Sequence, residues 1–146
     1  MNATCFVDTN ILVYFRDVSE PDKRAKAEHW LSTLWRNRNG RLSFQVLNEY
    51  YVTVTQRLRP GLSRERAQAD VRDLMAWNPV SVDRKIVEDA WLLQGRHGFS
   101  WWDALIVSAA RRANCDYLVS EDFGNGQKLG SVTIVNPFIV QPDHIL

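Results

Sequence analysis

Four acidic residues, Asp8, Glu49, Asp103 and Asp122, stand where carboxylates could converge. Asp8 ends the apolar run Thr4-Cys5-Phe6-Val7. Glu49 falls at the edge of the helical stripe Val46, Leu47, Tyr50, Tyr51 and Val54. Asp103 lies three residues after Ser100, and Asp122 follows Leu118-Val119-Ser120-Glu121. Mg2+ and Mn2+ are hard cations that take oxygen ligands, usually a few carboxylates plus retained waters. Several carboxylates sharing a pocket repel one another unless a cation sits among them. The pattern therefore points to a divalent-metal site. Zinc is not indicated, because its sites draw on His and Cys. The three histidines, His29, His97 and His144, are scattered through different segments. The chain holds no GxxxxGK phosphate loop, no GxSxG and no CxxC.

Each acid also has a local structural use. Asp8 could cap a helix starting near Asn10, and Glu49 could simply be solvated. Ser100 and Asp103 come close to a capping box, where an acid in the first turn is favourable anyway. Asp122 could serve a turn before Gly124. Taken singly, these alternatives compete with the metal; taken together, four acids at strand ends and helix edges favour it.

The elements that must position these acids follow from hydrophobic periodicity. Short apolar runs predict strands at Thr4–Val7, Arg41–Ser43, Val80–Val82, Tyr117–Ser120 and Val132–Val135. Helical spacing predicts Asn10–Phe15, Pro21–Asn37 (with Asn39-Gly40 as its stop), Gln45–Leu58, a helix capped by Ser63, a helix from Asp83 to Gln94, and Ser100–Ala113. Pro60-Gly61, Gly95–Gly98 and Gly124–Gly126 read as turns and loops. Trp101 and Trp102 are expected to pack the start of their helix against the sheet. Strands alternating with helices imply a parallel sheet covered on both faces, with functional residues at the carboxyl ends of the strands.

At 146 residues, 45% hydrophobic and 24% charged, the chain suits a single folded domain spanning 1–146. No segment approaches the run of about 20 apolar residues that a membrane helix needs. Met1–Thr4 lacks a basic n-region and the apolar segment behind it stops at Asp8, so no cleaved signal peptide is expected and a cytoplasmic location is. Cys5 and Cys115 read as buried, reduced thiols. Between Arg16 and Arg72 there are 12 Lys and Arg against 7 Asp and Glu, whereas the rest of the chain has 6 against 10. A basic segment beside an acidic, metal-neutralised pocket suits a nucleic-acid substrate, although charges on amphipathic helices are also an ordinary solvated face.

In these residues the chain resembles the PIN domains, and within them the VapC-like toxins of type II toxin–antitoxin pairs. The matching blocks are Phe6-Val7-Asp8-Thr9-Asn10-Ile11-Leu12, Gln45-Val46-Leu47-Asn48-Glu49-Tyr50-Tyr51, Phe99-Ser100-Trp101-Trp102-Asp103-Ala104-Leu105-Ile106 and Tyr117-Leu118-Val119-Ser120-Glu121-Asp122-Phe123. They occur in family order across almost the whole chain. Ser120 stands where many members carry Thr, which keeps the hydroxyl.

The resemblance implies a three-layer α/β/α sandwich around a mainly parallel five-stranded sheet. It implies that Asp8, Glu49, Asp103 and Asp122 bind metal, with Asn10 and Ser120 holding them in place. The activity implied is hydrolysis of RNA phosphodiester bonds with Mg2+, for which Mn2+ substitutes. The partners implied are an RNA, a small antitoxin protein whose C-terminal segment covers the active-site groove, and a second copy of the chain in a homodimer; no membrane is implied. Two other functions remain open at this stage. One is a haloacid-dehalogenase-like phosphatase, which also places an Asp after its first strand but needs a second Asp where this chain has Asn10. The other is a non-catalytic module of the same fold that binds RNA or protein.

Overall fold

The computed structural model describes residues 3–146, so Met1 and Asn2, part of the stretch read for a leader, lie outside the described residues. The elements in chain order are β1 (Cys5–Val7), α1 (Thr9–Arg16), α2 (Pro21–Asn37), β2 (Gly40–Arg41), α3 (Phe44–Val52), α4 (Arg64–Leu74), α5 (Arg84–His97), α6 (Trp101–Arg112), β3 (Tyr117–Val119), β4 (Lys128–Leu129) and β5 (Val132–Val135). One sheet forms in the order β2-β1-β3-β5-β4, parallel except for the β4–β5 pair. Cys5, Phe6 and Val7 pair with Tyr117, Leu118 and Val119. All three β1 side chains are fully buried, as are Leu118 and Val119, because helices cover both faces of a parallel sheet.

Strand order runs one way from β1 to β2 and the other way from β1 to β3. Crossovers between parallel strands are right-handed, so α1 and α2, which lead to β2, lie on one face and α6, which leads to β3, on the other. This is the expected α/β/α sandwich. The reversal opens a crevice at the carboxyl ends of β1 and β3, where Asp8 and Ser120 follow the last strand residues.

Helix starts follow their side chains. Ser43, Ser63, Asp83 and Ser100 each accept a hydrogen bond from the backbone N–H three residues on. Pro21 opens α2. The helix after Ser43 extends as expected, but its last turn, Thr53–Arg57, widens to a π-helix.

Three expectations about the elements need correction. Val80–Val82 is not a strand: Val80 makes one isolated parallel bridge to Ser43, hemmed between Pro79, which has no N–H, and the cap Asp83. The fifth strand is instead Lys128–Leu129, turned back through Gly130, at φ +69°, and Ser131 onto Val132. Gly40 does not end α2. Arg38 takes the left-handed conformation there, and Gly40 enters β2 because Trp77 leaves no room for a side chain; a Cβ would sit 2.7 Å from its ring. Finally, α5 continues through Gly95 to His97 and stops at Gly98, which is left-handed at φ +70°.

The core runs from Phe6 and Leu118 in the sheet to Trp30 and Leu34 on α2 and to Leu105 and Ile106 on α6. Cys5 and Cys115 are buried and unpaired, and burial pushes both thiols up to about 12. Among the described residues, no helix is long and apolar enough to cross a membrane.

Candidate active site

Asp8 occupies the bottom of the crevice at only 5% exposure. Its carboxylate accepts two hydrogen bonds, from the Thr9 N–H at 2.7 Å and from the Ser120 hydroxyl at 2.7 Å. It also caps α1, so the local use read from the sequence and a place in the pocket coincide. Ser120, fully buried at the end of β3, bridges the adjacent strand ends. Its hydroxyl donates to Asp8 while its oxygen accepts from the Asp122 N–H at 3.1 Å.

Asp122 lies at the exposed lip of the crevice, where the Asn10 side-chain amide donates to its Oδ2 at 3.1 Å. Asp103 sits half-buried in the first turn of α6, which Ser100 caps. Glu49 is on α3, one turn after Gln45, whose amide donates to Glu49 Oε1 at 2.6 Å. The same nitrogen lies 3.5 Å from the carbonyl of Trp102, the residue before Asp103, so Gln45 links the α3 acid to the start of α6.

Three of the acids feel one another. Burial, against the pull of the Ser120 and Thr9 hydrogen bonds, pushes the Asp8 carboxyl up from the ordinary 3.8 to about 7, and the charges of Asp122 and Asp103 push the same way. Desolvation raises Asp103 as well, opposed by Ser100. Asp122 is raised by desolvation first, then by the charges of Asp103 and Glu121. Among the described residues, no three His, Cys, Asp or Glu side chains are drawn together into a ready-made cage.

The donor set still fits a hard cation. It consists of oxygen, and the strain it carries is the kind that positive charge relieves. Two amide oxygens beside the acids, Asn10 Oδ1 and Gln45 Oε1, are buried without a hydrogen-bond partner among the described residues, while the nitrogen of each amide donates to an acid. Buried polar atoms in this state call for a ligand or water.

The sequence reading left some residues without a role. Gln45 was expected only to open a helix and to belong to a matching block, and its hold on Glu49 is legible as an i, i+4 pair on one helix face. Tyr14 and Lys23, on the consecutive helices α1 and α2, form a cluster beside Asp122 with the sequence-distant Glu121, and no local pattern announces it. Trp102 is not packed on the sheet; it is 62% exposed while Trp101 turns inward. Arg111 and Arg112 stand at the far end of α6, about 12 Å along the axis from Asp103 in the case of Arg111, where they pair with Asp89 and Asp83.

Comparison with known proteins bears on this crevice. A family model described as the PIN domain matches residues 5–124. No curated protein matches the sequence. Among solved structures, a toxin–antitoxin complex from Klebsiella pneumoniae superposes with a TM-score of 0.69 at 19% identity, covering 92% of this chain and 98% of that one. The sarcin–ricin-loop-cleaving toxin VapC20 of Mycobacterium tuberculosis gives 0.63 at 21% identity, over 82% of this chain and 92% of that one. VapBC2 from Rickettsia felis, bound to a DNA fragment from its promoter, gives 0.61 at 20% identity, over 90% and 96%.

Proposed function

The chain belongs to the PIN-domain family, and from that premise we propose that it is a metal-dependent endoribonuclease, the toxin of a toxin–antitoxin pair, acting through Asp8, Glu49, Asp103 and Asp122 as one unit spanning 1–146. The observation that carries this reading is the buried Asp8–Ser120 bridge between adjacent strand ends, faced by the charges of Asp103 and Asp122. Nucleases of this family use divalent metal ions. We assign Mg2+, with Mn2+ as substitute, to Asp8, Asp103 and Asp122.

A bound divalent ion supplies Lewis-acid polarisation of the phosphoryl oxygen and lowers the proton affinity of water. The protein's residues do the rest. Ser120 and the Thr9 N–H hold both oxygens of Asp8 in a fixed plane. Asn10 keeps Asp122 turned toward the crevice. Glu49, with Oε1 held by Gln45, takes at Oε2 the proton of the water that attacks phosphorus; the P–O bond to the leaving ribose oxygen breaks, and that oxygen takes a proton from solvent water. Basic side chains of the segment from Lys23 to Arg72 contact the RNA backbone. Asn10 stands where a phosphatase would need its general acid, and its amide is committed to Asp122, which disfavours that alternative.

The partner we assign is a small antitoxin protein whose C-terminal segment covers the crevice that holds the four acids. The exposed Trp91 and Leu92 on α5, together with Trp102, supply an apolar surface for a homodimer.

The test is sequencing of new RNA ends after the purified protein meets total cellular RNA. It is run with Mg2+ or Mn2+, with chelator, and with Asp8→Asn. Cuts at one or a few sites that vanish in both controls support the reading. No cuts above the mutant background, from folded protein free of bound antitoxin, would replace it with a non-catalytic module that binds RNA or protein.

A further inference from the structure

Three successive residues beyond β3 are each tied to a different part of the fold. Ser120 bonds Asp8 and Asp122 bonds Asn10. Between them, Glu121 accepts from the Tyr14 hydroxyl at 2.6 Å and from Lys23 at 3.0 Å. Lys23 also donates to the Tyr14 oxygen at 3.2 Å, which closes a three-membered network. Tyr14 is four residues after Asn10 on α1, so one face of that helix grips both Asp122 and Glu121, one turn apart.

The far side of this network is built by the C-terminal segment, which lies beyond the matched 5–124 region. The Phe138 ring meets Tyr14 edge-on at 5.2 Å, and the Lys23 ammonium lies 4.7 Å from the Tyr14 ring centre and 5.1 Å from that of Phe138. Lys26 donates to the Phe138 carbonyl and the Trp30 indole to that of Val140, and these bonds fasten the segment to α2.

We propose that Glu121 is a positioning residue. Held by Tyr14 and Lys23, it fixes the loop so that Asp122 faces the metal, and it is itself withheld from the metal by those two partners. The proposal rests on the nuclease reading above. A carboxylate adjacent to a ligand, with one oxygen taken by a phenol and the other by an ammonium, acts as an anchor for its neighbour.

The experiment compares wild type with Glu121→Ala, Glu121→Gln, Lys23→Met and Asp122→Asn, and with the double variant Glu121→Ala/Asp122→Asn. Mn2+ binding is read by calorimetry without RNA, kcat and KM on an RNA that the wild type cuts, and folding by thermal melt. Glu121→Ala is expected to weaken Mn2+ binding and lower kcat about 10–100-fold, with KM for RNA little changed. Glu121→Gln, whose amide oxygen still accepts from Tyr14, should recover most of the loss, and Lys23→Met should fall between. In the Asp122→Asn background, Glu121→Ala should add nothing. Gln as damaging as Ala would overturn the proposal and make Glu121 a ligand in its own right. Unchanged Mn2+ affinity in Glu121→Ala, or an additive double variant, would overturn it too. If the wild type binds Mn2+ but cuts no RNA, the nuclease reading fails while the calorimetry still decides the role of Glu121.

Discussion

Asp8 is squeezed between two requirements: burial disfavours its charge, and the metal site proposed for it demands that charge. In the unfolded chain it loses its proton near 3.8, in the folded chain at about 7. Between those values the folded state binds the extra proton. The stability of the cation-free protein should therefore fall as pH rises from about 4 to about 7, by at most about 1.4 kcal/mol per pH unit from this group, and then level off. Urea denaturation across that range measures the slope, and Asp8→Asn should reduce it, leaving a smaller slope of the same sign from Asp103 and Asp122; an unreduced slope would show that Asp8 does not contribute. The same variant should lose RNA cleavage by about 10²-fold or more while melting at the same temperature or higher at pH 8. An unfolded Asp8→Asn protein would show instead that the Asp8 bonds to Thr9 and Ser120 are needed for the fold itself.

At the scale of elements, the strands most easily read from the sequence are those buried on both faces, because a continuous apolar run such as Cys5-Phe6-Val7 has no other economical use. The positions of the acids were legible for a related reason: each lies within three residues of a strand end or begins or edges a helix, so its position is local information. Lys128–Leu129 was not legible, since two residues carry no periodicity and only the Gly130-Ser131 turn betrays the hairpin. Nor was the fate of Trp102, because which of two adjacent tryptophans turns inward depends on what α6 packs against. Gly40 is another case decided in three dimensions. Its helix-stop signal is local, but its function is to let Trp77 close over β2, and Gly40→Ala should cost about 1–3 kcal/mol by urea denaturation. The tie between α1 and α4 makes a parallel demand. Asp70 takes two bonds from Arg16, at 2.7 and 3.0 Å, and one from the Tyr50 hydroxyl at 2.6 Å. Asp70→Ala strands a mostly buried guanidinium and should destabilise by about 3 kcal/mol in the same assay.

For the whole molecule, the proposed cation site at the crevice would make folding and cation binding one equilibrium. A divalent ion at 100 times its dissociation constant should stabilise the protein by about 2.7 kcal/mol, read as a rise in melting temperature that chelator reverses. The rise should shrink at pH 5, where Asp8 keeps its proton. The sheet has a consequence of a different kind. Its two outer strands, β2 and β4, have only two residues each. Recruitment of another chain by strand addition relies on a long open row of backbone N–H and C=O groups, a row that reads almost the same in every protein of one fold. This molecule offers no such ladder among its described residues, so a protein partner is expected to engage it chiefly through side chains. That contact is written in sequence rather than in backbone, which allows an inhibitor made for this chain to ignore other proteins built on the same frame.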